Sequence, residues 1–286
     1  MPIDPATAIG ADLGEATFAW TASDVLLYHL ALGAGTDPLD PRELRYAYEA
    51  DLRVLPTFAT VAATLKAADP PSVRFPGIDV DLAKVVHGTQ QVVTHRPIPV
   101  EGKATARTRI ADVLDKGKAA VIVQETEAAD PAGDPLWTAR SSIFARGEGG
   151  FGGKRGTSDR VEPPQREPDV VVDVPTLPQQ ALLYRLCGDR NPLHADPGFA
   201  RAAGFDAPIL HGLCTYGMVA KAVTDAVLDA DVTRIRSWSA KFAGIVLPGE
   251  TLRVRVWRDG GRLLVGAVAM DRDEAPVLSD AVLETR

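Results

Sequence analysis

Cysteine is nearly absent: Cys187 and Cys214 are the only two in 286 residues. That excludes a disulfide framework, and the two lack the companions of a zinc site. Positive charge is scarce too, with 31 Lys and Arg against 38 Asp and Glu and a net charge of −7. Nucleic-acid binding needs a basic surface that displaces counterions, so DNA and RNA are excluded as partners. Long apolar runs are missing. Stretches such as Leu263 to Met270 are far too short to cross a bilayer, so no membrane partner is expected. The N-terminal MPIDPATAIGADLGEA has no basic region followed by an apolar core. No signal peptide is expected, and the protein is placed in the cytoplasm.

What remains is the composition of a globular protein, 45% hydrophobic and 24% charged, long enough for one large domain or two of ordinary size. Three anchors recur in order. Leu26-Leu27-Tyr28-His29-Leu30 matches Leu182-Leu183-Tyr184-Arg185-Leu186, with the tyrosines 156 apart. Val54-Leu55-Pro56-Thr57 matches Ile209-Leu210-His211-Gly212, 155 apart. RPIPVEGKATARTRI matches AGIVLPGETLRVRVW, with the turn glycines Gly102 and Gly249 147 apart. So small a drift over so long a separation points to an internal duplication.

Between the copies, the Gly-, Pro- and charge-rich stretch from Glu148 to Val170 has the composition of a linker. The division expected is a first repeat over 1–147, a linker over 148–170 and a second repeat over 171–286. Each copy predicts a short helix (around Asp24–Leu30 and Gln179–Leu186), then a longer, almost wholly apolar helix (TFATVAATLKA and LCTYGMVAKAV). Four period-2 strands then follow in each. One apolar helix followed by antiparallel strands suggests a sheet wrapped around that helix, an α+β fold.

The segment richest in chemistry runs from Tyr184 to Asp196. Asp189 and His194 lie five apart across Asn191-Pro192, and a proline there turns the chain. A turn can aim both side chains at one point, and a carboxylate beside an imidazole suits holding and activating a water. The first copy is an internal control. It has Gly35-Thr36-Asp37-Pro38-Leu39-Asp40 in this place and no histidine in the loop, so one copy keeps the chemistry and the other has lost it. The structural alternative makes Asp189 a cap and His194 a buried, hydrogen-bonded side chain. Gly212 opens the second copy's apolar helix, where free N–H groups carry positive potential and can bind an oxyanion. The first copy has Pro56-Thr57 here, and a proline has no N–H to offer. Gly212 also suits a plain strand-to-helix turn.

On these residues the chain resembles the MaoC-like type 2, or hydratase 2, family of enoyl-CoA hydratases. YRLCGDRNPLHADPGFA carries the likeness. VVHG, ADVLDKG, GEGGFGGKR, PILHGLCTYG and KFAGIVLPGETL add to it in order, over nearly the whole chain. The likeness is nearest to actinobacterial members, some associated with long, branched or steroid side-chain thioesters. It implies a double hot-dog fold with the second repeat catalytic and the first accommodating the acyl chain. It further implies addition of water to a trans-2-enoyl-CoA to give the (3R)-3-hydroxyacyl-CoA, in fatty acid or sterol β-oxidation, with no metal or other cofactor. Asp189 and His194 then hold the water, Asn191 shapes the loop or touches substrate, and the Gly212 N–H binds the thioester oxygen. His87, Gly88, Lys116, Tyr184, Arg190 and Phe242 fall where the family contacts acyl-CoA. Lys116 is the phosphate candidate, against the reading of an ordinary hairpin lysine. A homodimer is expected.

Other signals lead nowhere. Gly147 to Gly152 fits G-x-G-x-x-G, but no helix pattern opens after it. His29, His87, His95 and His211 show no metal-ligand spacing. Two rival functions remain: a hot-dog thioesterase, whose usual signature is not this loop, and a non-catalytic acyl-CoA-binding subunit, which should have lost Asp189 or His194.

Overall fold

A computed structural model describes residues 3–71, 74–81, 84–157 and 160–286. Twelve strands follow in chain order: β1 (Asp12–Trp20), β2 (Arg74–Phe75), β3 (Ile78–Asp79), β4 (Val85–Thr94), β5 (Gly102–Asp115) and β6 (Ala119–Ala129), then β7 (Pro135–Arg146), β8 (Val170–Pro175), β9 (Ile235–Phe242), β10 (Thr251–Asp259), β11 (Arg262–Ala269) and β12 (Ala275–Thr285). β2 and β3 form a separate pair, and the other ten make one antiparallel sheet in the order 1-5-6-7-4-9-12-11-10-8. That order is a palindrome of two five-stranded halves joined where β4 pairs with β9, Gln91 opposite Ser239. The duplication read in the sequence is thus a pseudo-twofold of the sheet. It is the α+β double hot-dog architecture.

The eight strands predicted from period-2 patterns are β4 to β7 and β9 to β12. The outermost strands, β1 and β8, escaped the pattern reading. β1 is largely exposed and β8 has the alternation of an edge with one wet face.

The helices are α1 (Pro5–Ala8), α2 (Ala22–Ala31), α3 (Pro41–Ala47), α4 (Gln180–Tyr184), α5 (Pro197–Ala202) and α6 (Gly212–Leu228). α2 starts on a capping box in which Thr21 and Asp24 exchange side-chain and backbone bonds. α6 is the central helix of the second half, with eleven of its residues buried.

The first half corrects one expectation. TFATVAATLKA is not an α-helix: Pro56–Thr60 is a 3₁₀ helix and the chain runs on in turns to Lys66. Backbone bonds there mostly span three residues, as in Phe58 to Leu55, Val61 to Phe58, Thr64 to Val61 and Ala67 to Thr64. The hydroxyls of Thr60 and Thr64 donate to the carbonyls of Thr57 and Val61. Those side chains compete for the acceptors an α-helix would use, and the tighter winding results.

The halves are also tied by charge. Lys221 on α6 donates to Glu43 at 2.6 Å and Asp225 at 2.8 Å, and Tyr46 Oη donates to Asp225 at 2.7 Å. Glu43 in turn accepts the Gly35 N–H. This clamps the first half's loop 35–47 onto the second half's helix. The stretch after β7 is laid along the sheet: Asp115 accepts from the N–H groups of Gly117, Gly150 and Gly152. Two N–H groups of the glycine-rich run, those of Gly150 and Gly152, are therefore spent on a carboxylate.

Candidate active site

Tyr184 ends α4, a 3₁₀ turn over Arg185–Cys187 follows, and Gly188 takes φ +109°. Only a glycine adopts that conformation cheaply. It also has no room for a side chain, because a Cβ would stand 1.8 Å from the Thr64 carbonyl oxygen of the first half. Asp189 comes next. Its Oδ1 accepts the Asn191 N–H at 3.1 Å. Asn191 caps the 3₁₀ turn Pro192–His194 through its own Oδ1 on the Leu193 N–H. The proline does turn the chain between Asp189 and His194.

His194 is buried, and its Nδ1 lies 2.8 Å from the Ile209 carbonyl oxygen. A carbonyl only accepts, so Nδ1 carries the hydrogen and Nε2 keeps its lone pair. Burial pushes the His194 imidazole below its ordinary pKa, against the opposing pull of Asp189. The ring is accordingly neutral near pH 7, with an acceptor nitrogen on offer.

α6 begins just beyond. Its N-cap is His211, and Cys214 and Thr215 donate to the His211 carbonyl. Among the described residues the Gly212 N–H has no acceptor. A Cβ at Gly212 would come within 3.1 Å of the Phe242 ring, so the wall beside this N–H is aromatic and close. His87 arrives from the first half. The pairing of β4 with β7 slips between His87 and Thr89, and Gly88 occupies that bulge, with no space for a Cβ against Ser142 Oγ. The His87 ring lies 4.7 Å from that of Phe242. It is held neutral, its pKa lowered to about 4 by burial, and among the described residues its Nε2 has no partner.

Of the ten residues singled out in the sequence, Asp189 and His194 meet in one cluster, and Gly212 and His87, with Gly88 beside it, both lie against Phe242. Asn191 stands behind them as a loop brace. Tyr184 is fully buried, its ring 5.0 Å from His211. Arg190 reaches the Ala67 carbonyl through Nε at 3.4 Å. Lys116 is not drawn in. It sits in the β5–β6 turn, at the end of the sheet nearest Val85, and donates to the Arg155 carbonyl at 2.6 Å.

His211 is the residue that sequence spacing concealed. Ligand atoms of Asp189, His194 and His211 lie within 4.8 Å of one another, although 17 residues separate the two histidines. By distance this trio could hold an ion. The two rings, however, are stacked, with centroids 3.7 Å apart and 27° between planes. Stacked rings point their lone pairs side by side, whereas an ion needs them to converge. The arrangement suits a water, whose two hydrogens can go to the Asp189 carboxylate and to His194 Nε2.

At the matching position of the first half, a cavity of about 140 Å³ is lined by Leu52, Val54, Pro56, Thr94, Ile235 and Arg286 among others. It contains neither carboxylate nor histidine.

Comparison with known proteins places both halves of the chain in described families. Residues 18–147 match the MFE-2 hydratase 2 N-terminal domain, and residues 159–274 match the MaoC like domain. The chain is 58% identical over 283 residues to the enoyl-CoA hydratase ChsH3 of Mycobacterium tuberculosis, covering 99% of each. It is 37% identical over 278 residues to a peroxisomal enoyl-CoA hydratase 2 of Arabidopsis thaliana, covering 92% of this chain and 89% of that one. A MaoC-like dehydratase from Phytophthora capsici superposes with a TM-score of 0.90 at 29% identity, covering 99% of this chain and 98% of that chain.

Proposed function

The chain belongs to the MaoC-like hydratase 2 family and is an enoyl-CoA hydratase, and from that premise we propose that it forms (3R)-3-hydroxyacyl-CoA from bulky trans-2-enoyl-CoA thioesters. The observation that carries the assignment of roles is the meeting of Asp189 and neutral His194 in one cluster with His211, the residue just before Gly212 at the start of α6.

The steps follow from donor and acceptor count. Asp189 and His194 Nε2 each accept one hydrogen of a water, which leaves an oxygen lone pair free to attack C3. As the C–O bond forms, Asp189 takes the proton, with His194 orienting the water and sharing the charge. The thioester carbonyl gathers enolate character and is met by the Gly212 N–H at the positive end of α6. The proton then passes to C2. Only one face of the alkene can meet a water fixed between two protein acceptors, which accounts for a single configuration at C3. Coenzyme A belongs to the substrate, and no other cofactor enters any step.

Support for a bulky acyl group comes from the first half. Where the second half has the 17-residue helix α6, the first has only the 3₁₀ turn Pro56–Thr60, a less space-filling element beside the catalytic loop. Support for a homodimer comes from Leu30, Leu182 and Leu186, which lie exposed on the packed pair α2 and α4 and its extension. Sedimentation at two concentrations tests it. The free, buried thiols Cys187 and Cys214 suit a reducing cytoplasm.

The experiment for the main proposal is turnover of a trans-2-enoyl-CoA series, from crotonyl to a steroid side-chain thioester, followed by loss of the conjugated-thioester absorbance. Product handedness is read with a (3R)-specific dehydrogenase. Asp189→Asn and His194→Gln should each lower kcat by about 10²–10⁴-fold. An (S) product, or undiminished turnover in either variant, overturns the assignment of roles. Crotonyl-CoA as the preferred member overturns the bulky-substrate reading alone.

A further inference from the structure

His211 stands at an N-cap, a position that favours a side chain bonded to the first turn of the helix. Its ring makes no such bond. It is almost wholly buried, and its contacts go elsewhere. One face stacks on His194, with centroids 3.7 Å apart. Nε2 lies 3.3 Å from the carbonyl oxygen of Asp189. That oxygen only accepts, so Nε2–H donates and Nδ1 is left as a bare acceptor, buried and without a partner among the described residues. A buried orphan acceptor is costly, and the chain tolerates it in a residue whose ring meets the acid/base pair and Tyr184.

We infer that His211 is the positioning residue of this hydratase: its ring face sets the plane of His194 and its Nε2–H holds the backbone of Asp189, so that the two acceptors stay aimed at one water. The inference rests on the roles given above to Asp189 and His194. The Ile209 carbonyl fixes His194 at Nδ1 but leaves the ring able to swing about that bond, and a flat neighbour at stacking distance stops the swing. The same ring shields one face of His194 from water. Burial keeps His211 neutral, with the neighbouring His194 and Arg185 opposing a charge on it and the Asp189 carbonyl alone favouring one. The titratable and charged groups facing the stacked pair are Asp189 and Arg185, with Tyr184 against the outer face of His211.

The test uses the full chain with three variants and the best-used member of the trans-2-enoyl-CoA series. His211→Ala removes ring and donor, His211→Phe keeps a stacking ring without the donor, and His211→Gln keeps an N–H without the ring. His211→Ala should lower kcat by about 10²-fold, the loss that a misplacement of about 1 Å brings, while KM stays near the wild-type value. The acid limb of kcat/KM should move to higher pH in His211→Ala, because His194 is now wetted, and stay in place in His211→Phe. His211→Phe should retain more kcat than His211→Ala. Wild-type kcat in His211→Ala overturns the inference, as does an equal loss in Ala and Phe with an unmoved acid limb. If His211→Ala does not fold, wild-type kcat in both His211→Phe and His211→Gln overturns it. Asp189→Asn and His194→Gln run alongside. Activity in those two sinks the underlying roles, whereas their inactivity beside active His211 variants sinks this inference alone.

Discussion

Gly188 of the catalytic loop is pressed against Thr64 of the first repeat so closely that a Cβ would stand 1.8 Å from the Thr64 carbonyl oxygen. The half that lacks the acid/base pair therefore still sets the place of Asp189, the next residue along. Through this contact the first half forms one wall of the loop.

Gly188→Ala should accordingly be worse than a surface glycine substitution. The left-handed φ of +109° alone carries strain of about 1–3 kcal/mol for a non-glycine residue, and the clash with Thr64 adds to it. We expect a lower melting temperature together with reduced kcat. Gly204→Ala, at φ +88° with nothing within 4 Å of the new Cβ, should lose only stability.

Gly212 can be tested by a pair of variants. Ala and Pro both bring a Cβ to within 3.1 Å of Phe242, but only Pro removes the N–H. Proline is well tolerated at the first position of a helix, and in the first repeat Pro56 opens the 3₁₀ helix Pro56–Thr60. Gly212→Pro should lower kcat by about 10²–10³-fold relative to Gly212→Ala, the cost of one oxyanion donor. Equal activity in the two variants would remove the Gly212 N–H from the reaction.

Three buried histidines, His29, His194 and His211, and the partly buried His87 set the response to acid. Burial lowers His29 and His87 to about 4 and also lowers His194 and His211. A depressed folded-state pKa means that the unfolded chain binds the proton more readily. Stability is then fully present above the ordinary histidine value of about 6.5 and is lost as pH falls toward about 4. Thermal melts between pH 7.5 and 4.5 should show a falling midpoint. A flat profile over that range would contradict the burial. kcat/KM should hold below pH 6.5, since His194 stays neutral there, and decline only at more acid pH.

Lys221→Met probes the tie between the halves. It leaves Glu43 and Asp225 facing each other without their cation, with Tyr46 bonded to one of them. Breaking a buried pair on one side costs about 3–5 kcal/mol. The carboxylates retain 17% and 25% exposure, so a loss of about 2 kcal/mol is the expected outcome by urea titration. A double variant, Lys221→Met with Glu43→Gln, should recover part of it.

The sequence by itself determined the duplication, the eight inner strands and the Asp189–Asn191–Pro192–His194 turn, because each of these is written in local order: a repeat in residue types, a period of two, and a proline between a carboxylate and an imidazole. It also showed that the two copies differ at this loop, since the first copy has no histidine there. Only the tertiary structure decided the rest. The α-helical pattern of TFATVAATLKA gave way to 3₁₀ turns once threonine hydroxyls took the carbonyls. His211 joined Asp189 and His194 because the start of α6 folds back over the loop, a closeness of residues far apart along the chain that no spacing rule anticipates. Lys116 stayed with the connecting segment, although its motif reads the same in the sequence whichever way the side chain turns. Local pattern fixes what each segment becomes, and packing between distant segments fixes which side chains meet.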